Sequence, residues 1–420
     1  MRVLFVCPYL PSLIRVRPYN FIKALAKRGH RISLLCLVQA RHEHRDADHL
    51  REYCEQTKTV YMGQVRSVSS CLVHCASSVA IQAAYCFSRE MHDEVRRTLS
   101  EDHFDVVHVE HIRGAHFLPS GTNVPSVFDS VDCITSLYEQ FSREKPSLLG
   151  RWASKVEYRR LQSYEPKEAA KFERVIVTSQ RDKEELLKLD PHLRIDVISN
   201  GVDMEYFHPA ESPPETPNIV FSGKMSYYAN ESAAASLCDE IMPLIRAREP
   251  EATLTIAGSS PSKRVRRYGL APGIEVTGHV PDIRVPIQKA RVAVCPVSVG
   301  AGVQNKVLEA MAMARAVVAT SKACQALSVR NGEDLLIADE PKAFAEAVVR
   351  LLRDDKLALK LGQNGRKYVE RNHSWDDNAR LLEEAYHKAI ASISEKGRGE
   401  VEPTCHLSET CTTTRYRQQI

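Results

Sequence analysis

Short apolar runs alternate with helix-length amphipathic patterns twice along this chain, and that double alternation leaves few folds open. In the first half, Val3–Cys7 precedes a turn, a helical pattern over Tyr19–Arg28 and a second apolar run at Ile32–Leu37. Strand, helix and strand in that order form a parallel crossover unit, which places functional loops beyond the C-terminal ends of the strands. Further strands are expected at Asp105–Val109, Pro125–Phe128, Arg174–Ser179 and Ile195–Asn200. The run PAESPPETP, Pro209–Pro217, is dense in proline and polar residues and reads as the edge of a linker. A second alternation follows, with strands at Ile219–Ser222, Thr253–Ala257, Ile274–Thr277, Val292–Cys295 and Ala316–Thr320. The expected fold is therefore α/β, with two doubly wound halves.

One stretch of the second half carries chemistry. Val299–Thr320 reads VGAGVQNKVLEAMAMARAVVAT, in which a strand leads through Gly300 and Gly302 into a helix from Gln304. Free amides at a helix start, together with the positive end of its dipole, suit a phosphate. Lys306 puts a full positive charge in the first turn, where it opposes the dipole unless an anion is present. Glu309 falls on nearly the same face, and a carboxylate there accepts two hydroxyls of a sugar ring. Phosphate beside ribose implies a nucleotide. The ordinary alternative is a plain strand-to-helix turn whose glycines only make the bend.

Composition narrows the partners. With 57 basic and 53 acidic residues, the formal charge of +4 is too balanced to argue for nucleic acid. No window approaches the length of a membrane span, and Pro8 interrupts the first apolar run. The 12 cysteines are scattered through apolar runs without a CxxC pair, which favours a reducing cytoplasm. Cys71, His74 and Cys75 lack a second ligand pair for a metal. Asp46 and Asp48 form an Asp-x-Asp pair that can chelate a metal, but the polar surroundings fit a solvated helix start.

Other candidates lie in the first half. Arg15 and Arg17 follow the first strand and either hold an anionic acceptor or bound the helix. His108, Glu110 and His111 stand at the exit of one strand, and Asp129 and Asp132 at the exit of the next, where open sheets bind ligands. Capping of the following helix is the alternative role for the two aspartates. The basic, partly apolar helix over Gly150–Glu173, with Trp152 and Val156, can lie on an anionic membrane surface or simply face solvent.

Taken together, the residues resemble the family-4 glycosyltransferases of GT-B architecture. The resemblance runs from Met1 to about Ala391. It rests on VISNGVDMEYFHP (Val197–Pro209), FSGKMSYYANESA (Phe221–Ala233), IAGSSP, GHVPDI and GAGVQNKVLEAMAMARAVVAT. It implies two Rossmann-like domains facing a central cleft. Residues 1–198 form the acceptor side, completed by a helix over 374–393, and residues 199–373 bind the donor. Beyond the resemblance, 394–420 lack apolar periodicity and are expected to be a disordered polar tail. The resemblance also implies donor contacts at Gly223, Lys224, Gly258, Val280, Gly302, Asn305, Lys306, Val307 and Glu309. Lys224, Glu309, Asp129 and His108 are the residues expected nearest the chemistry, and Arg15, Arg17 and Asp132 those facing the acceptor. The chain departs from the family where a first glutamate is usual, which is Ala301 here. A later lysine of the glycine loop is replaced near Asn230.

The implied reaction moves a hexose-type sugar from a nucleoside diphosphate to an acceptor hydroxyl with retention, in polysaccharide or glycoconjugate biosynthesis. No cofactor or metal is expected, because the protein supplies the charge that meets the departing diphosphate. The acceptor is a carbohydrate or a lipid-linked molecule, and the expected location is the cytoplasm, with peripheral attachment to the inner face of the membrane open. The competing readings are a nucleotide-sugar 2-epimerase of the same fold and a non-catalytic nucleotide-sugar-binding protein.

Overall fold

The computed structural model describes residues 1–12, 15–40, 43, 47–144, 147–209, 216–300 and 302–399. Its first sheet consists of β1 (Arg2–Cys7), β2 (Arg31–Val38), β3 (Gln56–Tyr61), β4 (Val106–Glu110), β5 (Ser126–Val131), β6 (Arg174–Val177) and β7 (Ile195–Val197). The strands are parallel, in the order β3-β2-β1-β4-β5-β6-β7. The second sheet consists of β8 (Asn218–Ser222), β9 (Thr253–Ala257), β10 (Ile274–Gly278), β11 (Val292–Cys295), β12 (Ala316–Ala319) and β13 (Leu336–Ile337). It is also parallel, in the order β10-β9-β8-β11-β12-β13.

Helices cover both faces of each sheet, so the central strands are buried on both faces rather than on alternate residues, including the polar His108 and Glu110 of β4. β4 and β11 are buried at every position. β3 has no apolar run because it is an edge strand, and no periodicity in QTKTVY announces it. Strand order reverses between β1 and β4 and again between β8 and β11. Loops leaving adjacent strands in opposite directions open a crevice at such points, and ligands bind there.

Three boundaries differ from expectation in ways that matter. The first helix, Val16–Lys27, begins before Tyr19, which makes Arg15 its N-cap and puts Arg17 in the first turn. β5 continues past Phe128 to Val131, so Asp129 lies inside a strand rather than at its exit. The last helix, Trp375–Gly399, extends beyond residue 393, and residues 400–420 of the expected tail lie outside the described residues. Asp46, Ala301 and most of the proline-rich stretch, residues 210–215, lie outside them too.

That last helix returns to the first sheet. Trp375, Ala379, Leu382, Ala385, Tyr386 and Ala389 share one apolar cluster with Val3, Phe5 and Ile22. Arg28 and His30 both bind Glu383, at 2.7 Å each. Where the chain crosses between the sheets, Val202 pairs with Ser374 and donates its amide to the His373 carbonyl at 2.9 Å.

Candidate active site

The crevice is built from the ends of β8, β9 and β11 on one side and of β1, β4 and β5 on the other. β8 is followed by Gly223 and β9 by Gly258, and the two turns touch. A Cβ on Gly258 would overlap the Gly223 carbonyl, and its φ of +144° also excludes ordinary side chains. The Gly258 amide is tied to the carbonyl of Gly278 at 3.2 Å, and Val280 follows half-buried.

The helix Asn305–Ala312 starts at Gln304, which makes no side-chain cap. The amides of Asn305 and Lys306 thus point out of the helix start, whereas that of Val307 bonds the Gln304 carbonyl at 2.9 Å. Val307, expected among the donor contacts, is instead a buried apolar anchor whose amide is already engaged. Lys306 turns back toward the β8 loop. Its Nζ donates to Asn230 Oδ1 at 2.6 Å and stands 5.2 Å from the Phe221 ring centroid. Asn230 Nδ2 in turn donates to the Lys224 carbonyl at 3.0 Å. Asn230, which sequence reasoning passed over as a lost lysine, links the glycine loop to the cation. The positive charge comes from the facing helix instead.

Lys224 itself is exposed beside that loop. Burial lowers the Lys306 pKa, with attraction from Cys295 and Glu309 opposing, and pushes Glu309 up to about 7 against the pull of Lys306. A lysine and a carboxyl held partly out of water, each near one side of an open crevice, are both poised for a polar ligand.

The two lobes meet at this point. Gly302, at φ +64°, leaves no room for a Cβ, which would overlap the Asp132 carboxylate across the crevice. Asp132 caps no helix: its Oδ1 accepts from Thr178 Oγ1 at 3.0 Å. The following helix, Ile134–Glu144, is capped from a distance, because Glu165 accepts from the amides of Ile134 and Thr135, and Asp182 from that of Cys133. Burial and the neighbouring Asp182 raise the Asp132 pKa to about 7. Asn200 Nδ2 donates to Asn305 Oδ1 at 3.0 Å, joining the crossover segment to the helix start.

Arg17, His108 and Asp129 occupy a different place. All three are buried in the core of the first sheet, and Glu110 with them. Arg17 Nε donates to Asp129 Oδ2 at 2.7 Å, and its NH1 donates to the Ile198 carbonyl and to Asn200 Oδ1. His108 Nε2 lies 3.7 Å from Glu110 Oε2 and 3.8 Å from Asp129 Oδ2, while its Nδ1 meets the Tyr386 hydroxyl at 3.0 Å. Burial raises the Glu110 pKa, and Asp129 adds to the effect. The expectation that His108 or Asp129 touches the sugar is not met in this conformation, nor is a direct acceptor contact by Arg17. Their atoms are turned toward one another. His108, Glu110 and Asp129 have the donor types of a metal site, within 4.8 Å of one another, but Arg17 already supplies a cation at Asp129. Arg15 stays half-buried at the crevice, its guanidinium 4.4 Å from the Tyr9 ring.

Two parallel Rossmann-like sheets with a helix returning to the first, and a glycine loop and a charged helix start at the mouth of the second, define the GT-B architecture. The pattern of the Glycosyltransferase Family 4 matches residues 15–206, and that of Glycosyl transferases group 1 matches residues 216–354. The chain belongs to the family-4 glycosyltransferases of GT-B fold.

Among curated relatives, a lipopolysaccharide core biosynthesis mannosyltransferase of Rhizobium leguminosarum is 25% identical over 241 residues, which is 52% of this chain and 66% of that protein. A D-inositol 3-phosphate glycosyltransferase of Rhodococcus jostii is 24% identical over 253 residues, 54% of each chain. The matched stretch thus spans between about half and two thirds of these relatives. The fold is similar to sucrose-phosphate synthase of Thermosynechococcus elongatus, with TM-score 0.68, 15% identity and coverage of 93% and 100% of the two chains. It is also similar to Anabaena HepE in complex with UDP and glucose, with TM-score 0.63, 14% identity and coverage of 91% and 98%.

Proposed function

We propose that this protein transfers a hexose-type sugar from a nucleoside-diphosphate donor to an acceptor hydroxyl with retention, in the assembly of a polysaccharide or glycoconjugate. The observation that carries the reading is the junction of Lys306, Asn230 and the Gly223 loop, with Glu309 one turn along the same helix. In this reading the diphosphate lies over the amides of Asn305 and Lys306, and Glu309 accepts from ribose hydroxyls. Lys306 and Lys224 offset the charge that grows on the leaving oxygen. A charge-assisted hydrogen bond of this kind contributes about 1.5–3 kcal/mol. The departing phosphate oxygen takes the acceptor proton, so no protein base is obligatory. Protein cations do the work of a metal here, and transfer is expected to persist in EDTA.

The test is a screen of nucleotide sugars for thermal stabilisation, followed by transfer assays with the best donor and NMR assignment of the product anomer. Product of inverted configuration, or loss of transfer in EDTA, would contradict the corresponding part. Asp132 and Glu309, both held near pH 7, are also what a 2-epimerase would need. Incubating donor alone separates the two, since an epimerase changes the sugar without acceptor.

Peripheral attachment to an anionic membrane belongs to the same proposal. No helix among the described residues is long and apolar enough to cross a membrane. At the start of the helix Leu148–Ala169, however, Leu148, Leu149 and Trp152 are exposed beside Arg151, Lys155 and Arg159. Apolar side chains rimmed by cations insert at an anionic lipid surface. Equal sedimentation of wild type and a Leu148→Ser, Trp152→Ser variant with anionic liposomes at low salt would remove this part.

A further inference from the structure

We propose that Arg15 and Arg113 form a seat for a phosphoryl group carried by the acceptor. The inference rests on the transferase reading and names the acceptor's chemistry. Both residues stand on the connections that leave the β1/β4 switch point, Arg15 as the N-cap of the helix that follows β1 and Arg113 in the turn after β4. The donor features lie at the other switch point, between β8 and β11, so this would be a second anion site in the opposite lobe.

The geometry holds both guanidiniums in place without neutralising them. Arg15 is stacked on Tyr9 at 4.4 Å, and among the described residues its one side-chain hydrogen bond is a long one, 3.4 Å, from NH1 to the Leu10 carbonyl. Arg113 donates through Nε to Gln82 Oε1 at 2.9 Å and through NH2 to the same oxygen, a neutral amide. Gln82 is fixed in turn, donating to the Tyr138 hydroxyl. The Arg113 amide bonds His111 Nδ1 at 3.2 Å, and the His111 ring stands 6.4 Å from that of Tyr9. His111 is half-buried and held neutral, its pKa pushed down to about 3 by loss of solvation and then by Arg113.

Nearby carboxylates are otherwise engaged. Glu43 attracts Arg15, but its Oε2 accepts from the amides of Gln39 and Ala40. Glu110 accepts from the Tyr9 hydroxyl at 3.1 Å and lies against His108. Among the described residues no carboxylate comes within ion-pair distance of either guanidinium. Burial lowers the Arg15 pKa; Tyr9 and Glu43 oppose this and Arg113 adds to it, so the two half-buried like charges lie within each other's field.

Such an arrangement costs stability unless an anion shares it. A phosphate monoester carries close to two negative charges at neutral pH, matching the pair, whereas a lone carboxylate would offset one. Guanidinium forks also match phosphate oxygens in geometry.

The test uses the full chain, saturated with whichever nucleoside diphosphate stabilises it, and inorganic phosphate as the calorimetric probe. Arg15→Gln and Arg113→Gln are each expected to weaken phosphate binding by about tenfold or more, and the double variant to abolish it. Nucleotide affinity should stay at the wild-type value, and the melting temperature without phosphate should stay there or rise slightly. Phosphate binding at wild-type strength in both single variants, or none in the wild type, overturns the proposal. Two further probes distinguish the source: hexose 1-phosphate in solution, and phosphatidylcholine vesicles doped with phosphatidic acid. Arginine-dependent binding to the first supports a soluble acceptor, to the second a lipid-borne one, and to neither refutes the site. Should no nucleotide bind at all, the transferase reading fails separately, and the phosphate titration is read on the free protein.

Discussion

The two sheets share one topology and treat charge in opposite ways. In the first, Arg17, Asp129, His108 and Glu110 are sealed inside the core and face one another. In the second, Lys306 and Glu309 stand half-buried at the mouth of the crevice, and Glu309 makes no side-chain hydrogen bond among the described residues. The same residue types therefore carry different meanings. A charge whose partners come from three chain segments organises the fold, whereas one that keeps an open side is available to a ligand. Arg17 ties the first helix, β5 and the crossover segment 198–200 together, and Asn200 passes that position on to Asn305.

The sharpest way to break this contrast is to remove one partner from the sealed cluster. Asp129→Ala leaves Arg17 buried and uncompensated, and such losses cost roughly 3–5 kcal/mol. The urea midpoint should fall by a corresponding amount, with nucleotide affinity retained in whatever fraction stays folded. A midpoint at the wild-type value would mean that the cluster is not structural, and the distinction between the two lobes would lapse.

Lys306→Met should do the reverse. It removes a partly desolvated cation whose one side-chain hydrogen bond among the described residues is to an amide, so the fold should keep its stability or gain slightly. Nucleoside-diphosphate binding should weaken by the equivalent of about 1.5–3 kcal/mol, a loss of roughly ten- to a hundredfold. Calorimetry reads the affinity and thermal denaturation the stability. A variant that unfolds while the remaining protein binds nucleotide normally would place Lys306 with the structural charges.

What the sequence made legible follows the same division. Lys306 and Glu309 were readable because helix periodicity and dipole are local, and both residues fall within the first two turns that follow a glycine bend. Gly223 and Gly258 could be singled out, but not their contact, since β8 and β9 become neighbours only in the sheet. Asp129 was harder. DSVD before a helix has the form of a cap, yet the amides it might have served are taken by Glu165 and Asp182, far along the chain. The register shift between Asp129 and Val131, with Val131 at φ +67°, then carries β5 beyond its apparent end. Asn230 gave no signal of its own, because its role depends on a lysine reaching across from another helix.

The smallest expected effect sharpens the comparison by pH. Burial raises the Glu309 pKa from an ordinary 4.5 to about 7, so the folded state holds this proton more tightly than the unfolded chain does. The resulting stability is complete below the unfolded value and is lost as pH rises toward about 7. Ligand binding should run the other way. Ribose hydroxyls donate, and an ionised carboxylate accepts better than a protonated one, so nucleoside-diphosphate affinity should rise between pH 6 and 8, a window set by the pKa of about 7. The nucleotide's phosphate titrates in the same range, but it does so equally for wild type and Glu309→Gln. The ratio of their affinities isolates the residue, and it should grow by a few-fold across that window, less than one charge-assisted hydrogen bond. Asp132, also near 7, contributes to the stability profile of both proteins and cancels in the same way. A ratio that stays flat would show that Glu309 does not meet the nucleotide, leaving Lys306 and the glycine loop to account for donor binding without it.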